Sequence, residues 1–324
     1  MRENDPKRVG GSLLDRRGWL AAVLAGWATT AGRAEEPGRK SEEERDLEGV
    51  RARARAVGLG PLRSGPPTAH YQSIGDAPLS FQTRALELCE SLARDYLKHF
   101  QDKGFTVALP DRRLTVVALA DPRGFARFTG EEEGSVVAGI YEPKTNRLII
   151  FDNRAGGAAD PRLAERANTI ALMHEATHQL TFNTGLLVRD GDVPLCLSEG
   201  LAMYGEVRRP NGQAKVGDLN FGWLPVLAAA RRKGAGLFPL RQLLTEDALL
   251  KQEATQHLAR AQSWLLVHFL MKAPGRPPQF RAYLEAIRQR RDDAARIEDA
   301  RTHLGDLEKL DRELAQYALR PARR

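Results

Sequence analysis

The segment His174-Glu175-Ala176-Thr177-His178 brings two imidazoles and a carboxylate together within five residues. Residues four apart lie on the same face of an α-helix, so both imidazoles would point the same way and could bind one metal ion. Glu175 follows about 100° further around the helix, where it can take a proton from a water molecule held at the metal. The spacing therefore predicts hydrolytic metal chemistry.

Glu199, in the later Ser198-Glu199-Gly200 segment, is the candidate for a third ligand. Two histidines and a carboxylate leave the fourth position of a tetrahedral zinc ion open, which is the composition of a catalytic rather than a structural site. We therefore predict one zinc ion bound by His174, His178 and Glu199. The alternative is an ordinary packed or solvated helix face, because the five-residue motif also arises by chance.

Both segments are predicted to lie on helices. Asp160 and Pro161 have the residue types of an N-cap and a first helical position, and the stretch from Arg162 to Phe182 has no Gly or Pro. Gly185 is typical of a C-terminal stop. Pro194 is predicted to open a second helix, which would carry Glu199.

The rest of the chain supplies strands first and helices later. Strands are predicted at 70–74, 114–119, 136–141 and 147–151, the last two as a hairpin, and further helices at 81–101, 124–128, 221–233, 239–244, 255–271, 278–290 and 307–318. This order predicts an α+β fold, with a small mixed sheet, a zinc-binding helix pair and a mainly helical C-terminal part. One domain is expected over 68–320, divided into an N-terminal α/β part (68–160), the zinc helices (161–210) and a helical part (211–320).

The two zinc segments resemble those of the gluzincins, a group of zinc peptidases in which His-Glu-x-x-His on one helix precedes a glutamate ligand on the next. The run from Glu199 to Glu206 is similar to the Glu-Gly-x-Ala-x-Tyr-x-Glu of their aminopeptidase branch. About residues 70–320 also resemble an uncharacterised bacterial family of exported gluzincin-like proteins, through Ala138 to Tyr141, His174 to Gln179, Leu197 to Ala202 and Gln262 to Trp264. The resemblance implies fold and metal more than substrate.

Two positions depart from the pattern of the relatives. They often have Trp where this chain has Cys196, which is interpreted as a small core residue or, less commonly, a redox group. They commonly carry a Tyr that stabilises the developing oxyanion, and this chain has Arg260 at or near that place. Arg260 or His257 could supply the positive or hydrogen-bonding group instead, and a plain surface arginine is the alternative.

Two residues are candidates for support around the metal ligands. Glu206 lies seven residues after Glu199, on the same helix face two turns later, and could orient a histidine by accepting its second ring N–H. Tyr204 could pack beside the site or hydrogen-bond within it. Their alternatives are an exposed helix-end carboxylate and an ordinary core tyrosine.

In the gluzincins an edge strand borders the cleft and pairs with an extended substrate. By position, that strand is Val137, Ala138, Gly139, Ile140 and Tyr141. Pairing along a strand edge binds a peptide through main-chain hydrogen bonds, with little specificity for its sequence. The alternative is a hairpin that only covers the core.

The amino terminus resembles a twin-arginine export signal. Residues 15–20 carry the paired arginines, 18–31 form a short apolar run, and 32–34 are a candidate cleavage region, so residues 1–34 are predicted to be a removable signal peptide. Residues 35–67 are predicted to be a linker or a short helix. The mature chain is expected in the periplasm, the cell envelope or outside the cell, and an uncleaved membrane tether is the alternative.

Composition adds little. The net charge is +7, from 49 basic and 42 acidic residues. Basic residues are interleaved with acidic ones and not with aromatic ones, so nucleic acid is not an expected partner. No stable membrane span is expected after the signal is removed, and the oligomeric state is left open. The two cysteines, Cys89 and Cys196, could pair in an oxidising compartment.

Together these features predict an exported zinc metallopeptidase that acts on peptides or proteins, with Glu175 as general base. Three alternatives remain. They are a zinc-binding envelope protein with weak or lost catalysis that acts as a binding module, a zinc hydrolase of another amide or acyl bond, and a structural protein with a fortuitous motif.

Overall fold

A five-stranded mixed sheet organises the N-terminal half of this computed structural model, which describes residues 40–132, 138–156, 160–206, 215–234 and 236–318. The strands are β1 (Arg63–Ser64), β2 (Tyr71–Gly75), β3 (Leu114–Leu119), β4 (Gly139–Glu142) and β5 (Arg147–Phe151), in the spatial order β1-β2-β3-β5-β4. The central strands β2, β3 and β5 run parallel, and β1 and β4 are antiparallel edge strands. No described strand pairs with the outer edge of β4.

Eleven α-helices are present in the described residues. They are α1 (Glu42–Ala56), α2 (Leu79–Asp102), α3 (Pro122–Thr129), α4 (Pro161–Asn183), α5 (Leu195–Gly205), α6 (Leu224–Arg232), α7 (Leu240–Thr245), α8 (Gln256–Lys272), α9 (Arg276–Gln289), α10 (Arg296–Leu304) and α11 (Leu307–Ala318). All strands in the described residues precede α4. The predicted α+β class with a helical C-terminal part is therefore confirmed.

The sheet is covered on both faces. Successive residues of a strand point to opposite sides, so Val116 of β3 joins the larger core with α2 and α4, whereas Val117 joins a second core with α1 and α3. All residues of β2, β3 and β5 are buried as a result. This explains why β3 and β5 are mostly apolar and do not alternate.

Within the stretch expected to be a linker or a short helix (35–67), residues Glu42–Ala56 form α1, which packs on the sheet. Val50 and Ala54 are buried in the second core. Asp46 accepts hydrogen bonds from Arg147 Nε and Nη2 at 2.8 and 2.7 Å. Much of the contact between α1 and the sheet is made by charged side chains. For this reason the sequence of α1 shows only a weak apolar pattern. The predicted signal peptide, residues 1–34, lies outside the described residues.

Helix α5 packs between α4 and α8, and a glycine of α5 lies at the closest approach to each of them. A Cβ on Gly200 would lie 2.5 Å from the backbone oxygen of Ser263 on α8, and a Cβ on Gly205 would lie 2.5 Å from the side chain of Thr177 on α4. Only glycine allows both approaches without displacing a neighbour. These contacts fix the distance of Glu199 from both flanking helices.

A buried ion-pair network attaches the loop between α4 and α5 to the C-terminal helices. Asp192 accepts from Arg290 Nε at 2.9 Å and from Arg296 Nε at 2.8 Å. Arg296 Nη1 also donates to Asp247 Oδ1 at 3.1 Å, and Asp247 accepts the backbone N–H of Leu195 at 3.0 Å. The helical C-terminal part therefore positions the start of α5.

Removing Asp192 is expected to destabilise the fold. Replacing it with Ala removes one of two carboxylates from each buried guanidinium, since Arg290 keeps Asp299 and Arg296 keeps Asp247, at a cost of about 1.5–3 kcal/mol in the free energy of unfolding. Urea unfolding at pH 7 measures this cost. The control is Asp102→Ala, which breaks an exposed pair with Lys98 and is expected to change little.

The same pair of variants predicts a pH dependence. Hydrogen bonds from Arg296, opposed by burial and aided by the charges of Arg296 and Arg290, lower the pKa of Asp192 below its ordinary value. Stability from Asp192 is therefore complete above its unfolded-state pKa and lost as pH falls through the lowered value. The difference between wild type and Asp192→Ala should shrink in that acidic range. An unchanged difference there would contradict the ionic origin.

Two further findings concern the sequence expectations. Cys89 and Cys196 are both free and buried, and burial raises the pKa of each thiol far above its ordinary value. Within the described residues, no helix has the length and apolarity needed to cross a membrane.

Candidate metal centre

The three predicted ligands converge at the junction of α4 and α5. His174 Nε2 lies 3.6 Å from Glu199 Oε2, and His178 Nε2 lies 3.5 Å from Glu199 Oε1. One ligand atom from each of the three residues falls within 4.8 Å of the others. This is the one group of its kind in the part of the chain that the structure describes, and it could hold a metal ion.

The geometry fits a small cation. Ligands about 2.0–2.2 Å from a tetrahedral ion lie roughly 3.4 Å from one another, close to the two separations measured here. Glu199 Oε2 is buried and accepts no hydrogen bond, although Arg260 Nη1 lies 3.0 Å away in poor hydrogen-bond geometry. A buried carboxylate oxygen without a donor is costly in protein, and a cation at this place would satisfy it.

Glu206 orients the first histidine. Its Oε2 lies 2.7 Å from His174 Nδ1, and its Oε1 accepts from Asn220 Nδ2 at 2.7 Å and from Trp223 Nε1 at 3.1 Å. When Nδ1 carries the proton and donates it to Glu206, Nε2 is left as the metal-binding atom. Asn220 and Trp223 lie far along the chain and carry no local motif, so sequence reasoning missed them.

Ser198 supports the second histidine in the same way. Its Oγ lies 3.2 Å from His178 Nδ1, and both residues are buried. Sequence reasoning missed this role, although Ser198 directly precedes the predicted ligand Glu199. When Nδ1 of His178 donates its proton to the Ser198 hydroxyl, Nε2 is left free to bind a metal ion.

Loss of the Glu206 carboxylate is expected to weaken metal binding without removing a ligand. Replacing Glu206 with Ala should lower metal affinity by about 10–100-fold, the usual effect of removing a partner that orients a metal-binding His. Competition with a chromophoric chelator measures the affinity. Glu253→Ala, at an exposed position before α8, is the matched control. Equal affinities in the two variants would contradict the orienting role.

Glu175 lies between the metal ligands and β4. Its Oε2 accepts the backbone N–H of Tyr141 at 2.7 Å, and its Cγ would lie 3.3 Å from a Cβ placed on Gly139. Burial raises the pKa of Glu175, and the imidazoles of His174 and His178 only partly oppose it. A raised pKa makes the carboxylate a stronger base near neutral pH.

The pKa of Glu199 is shifted in the opposite direction. Burial raises its pKa, but the imidazoles of His174 and His178 outweigh this and hold it well below the ordinary value. The carboxylate is therefore anionic, as metal binding requires.

These residues lie at the base of a cleft of about 1030 Å³. Edge strand β4 forms one side, with Ala138, Gly139, Ile140 and Tyr141 among the lining residues. The cleft runs along α4 from Ala167 and Ile170, past the metal ligands, to Phe182 and Val188. Of the strand predicted to bind substrate, Val137 lies outside the described residues, and the other four border the cleft.

Arg260 and His257 line the cleft from α8. The guanidinium of Arg260 is about a third exposed and lies beside Glu199, as described above. His257 is exposed at the rim. The structure therefore brings Arg260 to the metal ligands and leaves His257 further out.

Tyr204, predicted as a supporting residue, does not lie in the cleft. It is fully buried, and its hydroxyl lies 2.8 Å from His99 Nε2 on α2. The physical reason is helical phase. Five residues after Glu199 a side chain points about 140° away, whereas Glu206, at seven residues, returns to nearly the same direction.

The match to a known family falls on this part of the molecule. Residues 167–292, which include all the ligands and Arg260, match the family described as "Protein of unknown function (DUF1570)". The matched segment covers less than half of the chain. Among curated proteins, none matches the chain.

Proposed function

We propose that the chain is a zinc-dependent peptidase of the gluzincin type, which hydrolyses peptide bonds in the cleft below β4. The observation that carries the proposal is the position of Glu175. A site that only bound metal would not need a carboxylate of raised pKa beside the ligands and fixed by a backbone N–H. Two imidazoles and one carboxylate, with Glu175 beside them to act as a base, match the composition of a catalytic zinc site.

A zinc ion bound by His174, His178 and Glu199 would polarise the substrate carbonyl and lower the pKa of a water molecule. Glu175 accepts the proton of the attacking water and then donates it to the nitrogen of the leaving amine. The N–H of Tyr141 holds Glu175 in place for both transfers.

Arg260 is proposed to stabilise the negative charge that develops on the carbonyl oxygen. Its guanidinium lies at the ligand Glu199, remains partly exposed and borders the cleft. Preorganised positive charge in a partly desolvated cleft is among the most effective sources of rate acceleration. Arg260 would thus replace the tyrosine that the related sequences commonly carry.

An extended peptide is the proposed substrate, paired with the outer edge of β4 at Gly139, because the Tyr141 N–H is bonded to Glu175. The strand register places Gly139 opposite Ile150 and Tyr141 opposite Leu148. The backbone N–H of Tyr141 points away from β5, because it donates to Glu175. Along a strand, the backbone N–H and C=O groups of successive residues point to alternate sides, so residues two apart point to the same side. Gly139 therefore presents its backbone groups to the same side, toward the cleft.

Export to the periplasm or the outside of the cell completes the proposal. It is supported by the paired arginines, the apolar run and the small residues of the first 34 positions. Amino-terminal sequencing of the protein recovered from the envelope of its host would test it. A chain that retains Met1 in the cytoplasm would contradict it.

The test of activity uses the full chain purified without added metal. Metal analysis is expected to find about one zinc per chain, and a mixed peptide library should be cleaved, with activity lost on chelation and restored by zinc. Zinc without cleavage would favour the alternative of an envelope binding module. Absence of zinc in a folded chain, even after reconstitution, would contradict both.

A further inference from the structure

Arg189 is a cation in the cleft that the proposed chemistry does not use. It is exposed, lines the cleft, and makes no hydrogen bond or ion pair within the described part of the chain. The acidic groups at the base of the cleft already have partners, since Glu206 meets His174, Glu199 meets Arg260, and Glu175 meets a backbone N–H.

The backbone that carries Arg189 is held firmly. Arg290 donates to the backbone oxygen of Asp192 from Nε at 3.2 Å and from Nη2 at 2.9 Å, in addition to its bond with the Asp192 carboxylate. A Cβ on Gly191 would lie 2.6 Å from Val188 Cγ2 and 3.3 Å from the backbone oxygen of Arg290. These contacts fix the loop backbone at 191–192, two residues after Arg189, and the exposed side chain of Arg189 extends from this loop to line the cleft.

The two ends of the cleft differ in charge, with Arg189 near the C-terminal end of α4 and uncharged α4 residues near its N-terminal end. Around Arg189 it is lined by apolar groups, including Phe182, Val188 and Val193. At the other end α4 contributes Ala167, Ile170 and Ala171, none of which is charged. A guanidinium that has apolar neighbours and no ion-pair partner stays available for a charge-assisted hydrogen bond with an anion.

The strand direction indicates which part of a peptide would meet Arg189. β4 runs from Gly139 to Tyr141, both of which lie against Glu175, and beyond this contact the ring of Tyr141 stacks on Phe182 with centroids 5.8 Å apart. A peptide antiparallel to β4 runs the opposite way. Its residues near Phe182 and Arg189 therefore precede the bond that lies at Glu175.

We infer that Arg189 is a specificity-determining residue that binds a substrate carboxylate, namely an Asp or Glu side chain on the amino-terminal side of the cleaved bond. The inference rests on the proposed function, because it places the cleaved bond at Glu175. The free carboxylate at a peptide's C-terminus has the same chemistry, and the experiment separates the two sources.

The experiment measures binding, so that it does not depend on turnover. The zinc-loaded Glu175→Gln chain is titrated with fluorescent peptides that carry Glu or Gln upstream of the central bond, each with a free or an amidated C-terminus. Glu peptides are expected to bind about tenfold or more tightly than Gln peptides, the usual difference for a charge-assisted hydrogen bond. Adding Arg189→Ala should remove the preference, and Arg189→Lys should restore part of it.

Arg166→Ala in the same background is the matched control, because Arg166 is an exposed arginine of α4 that does not line the cleft. It should keep the preference. A preference for the free C-terminus, lost in Arg189→Ala, would support carboxylate binding by Arg189 and assign it to the chain end. No carboxylate preference, no peptide binding, or a preference that survives Arg189→Ala would overturn the inference.

A parallel digestion by the chain with Glu175 intact separates this inference from the proposed function. Cleavage without any preference for acidic peptides would leave the peptidase proposal standing and remove the role of Arg189. Absence of cleavage by a zinc-loaded chain would remove the peptidase proposal, and the binding titration would still decide whether Arg189 binds a peptide carboxylate.

Discussion

Replacing Glu175 with Gln is expected to lower peptide cleavage by about 10²–10⁴-fold, the usual contribution of a general base, and to leave zinc content unchanged. The amide oxygen of Gln can still accept the N–H of Tyr141, so the backbone of β4 has no reason to move. The amide cannot take a proton from water. Turnover and metal content measured on the same sample therefore separate proton transfer from metal binding.

The matched control for this variant is Glu165→Gln, which makes the same chemical change ten residues earlier on α4, at a side chain that is nearly half exposed. It should retain wild-type activity. A Glu175→Gln chain that cleaves peptides at the wild-type rate would show that Glu175 is not the base, even if zinc is present.

Replacing Glu199 with Ala is expected to abolish stoichiometric zinc binding. The variant removes one of three ligands, the carboxylate whose two oxygens lie 3.6 and 3.5 Å from the Nε2 atoms of His174 and His178. Metal binding to the native state stabilises it by about 2.7 kcal/mol at a concentration 100 times the Kd. Added zinc should therefore raise the melting temperature of the wild type and leave that of the variant unchanged.

The metal-free Glu199→Ala chain should still fold. The substitution removes a buried anion whose Oε2 lacks a hydrogen-bond donor, and its cationic neighbour Arg260 is exposed enough to be solvated by water. Glu253→Ala serves again as the exposed control. Wild-type zinc affinity in a well-folded Glu199→Ala chain would contradict the three-ligand site.

Local spacing was sufficient to predict the elements that carry the chemistry. The helical period alone places His174 and His178 on one face, and Asp160 accepts the backbone N–H of Arg162 at 2.8 Å, as its N-cap role predicts. The short β-branched runs of β3 and β5 also begin and end as predicted. These features depend on residues that are close in the chain.

The angular position around α5 also separated Glu206 from Tyr204, which were both candidates for support around the metal ligands. Glu206 returns to the face of Glu199 and reaches His174, whereas Tyr204 points into the core and meets His99. The period was available from the sequence. The direction of each face was not, because it depends on how α5 packs against α2, α4 and α8.

By itself, the sequence determined the α+β class, the helix pair and the common face of His174 and His178, since each follows from short-range periodicity or a short motif. Only the tertiary structure decided the partners: Tyr141 on Glu175, Ser198 on His178, Asn220 on Glu206, and the unpaired Arg189 in the cleft. It also showed that α1 is part of the fold. Such contacts join residues that are mostly far apart in the chain, and no local period or propensity encodes which distant groups meet once the elements have packed.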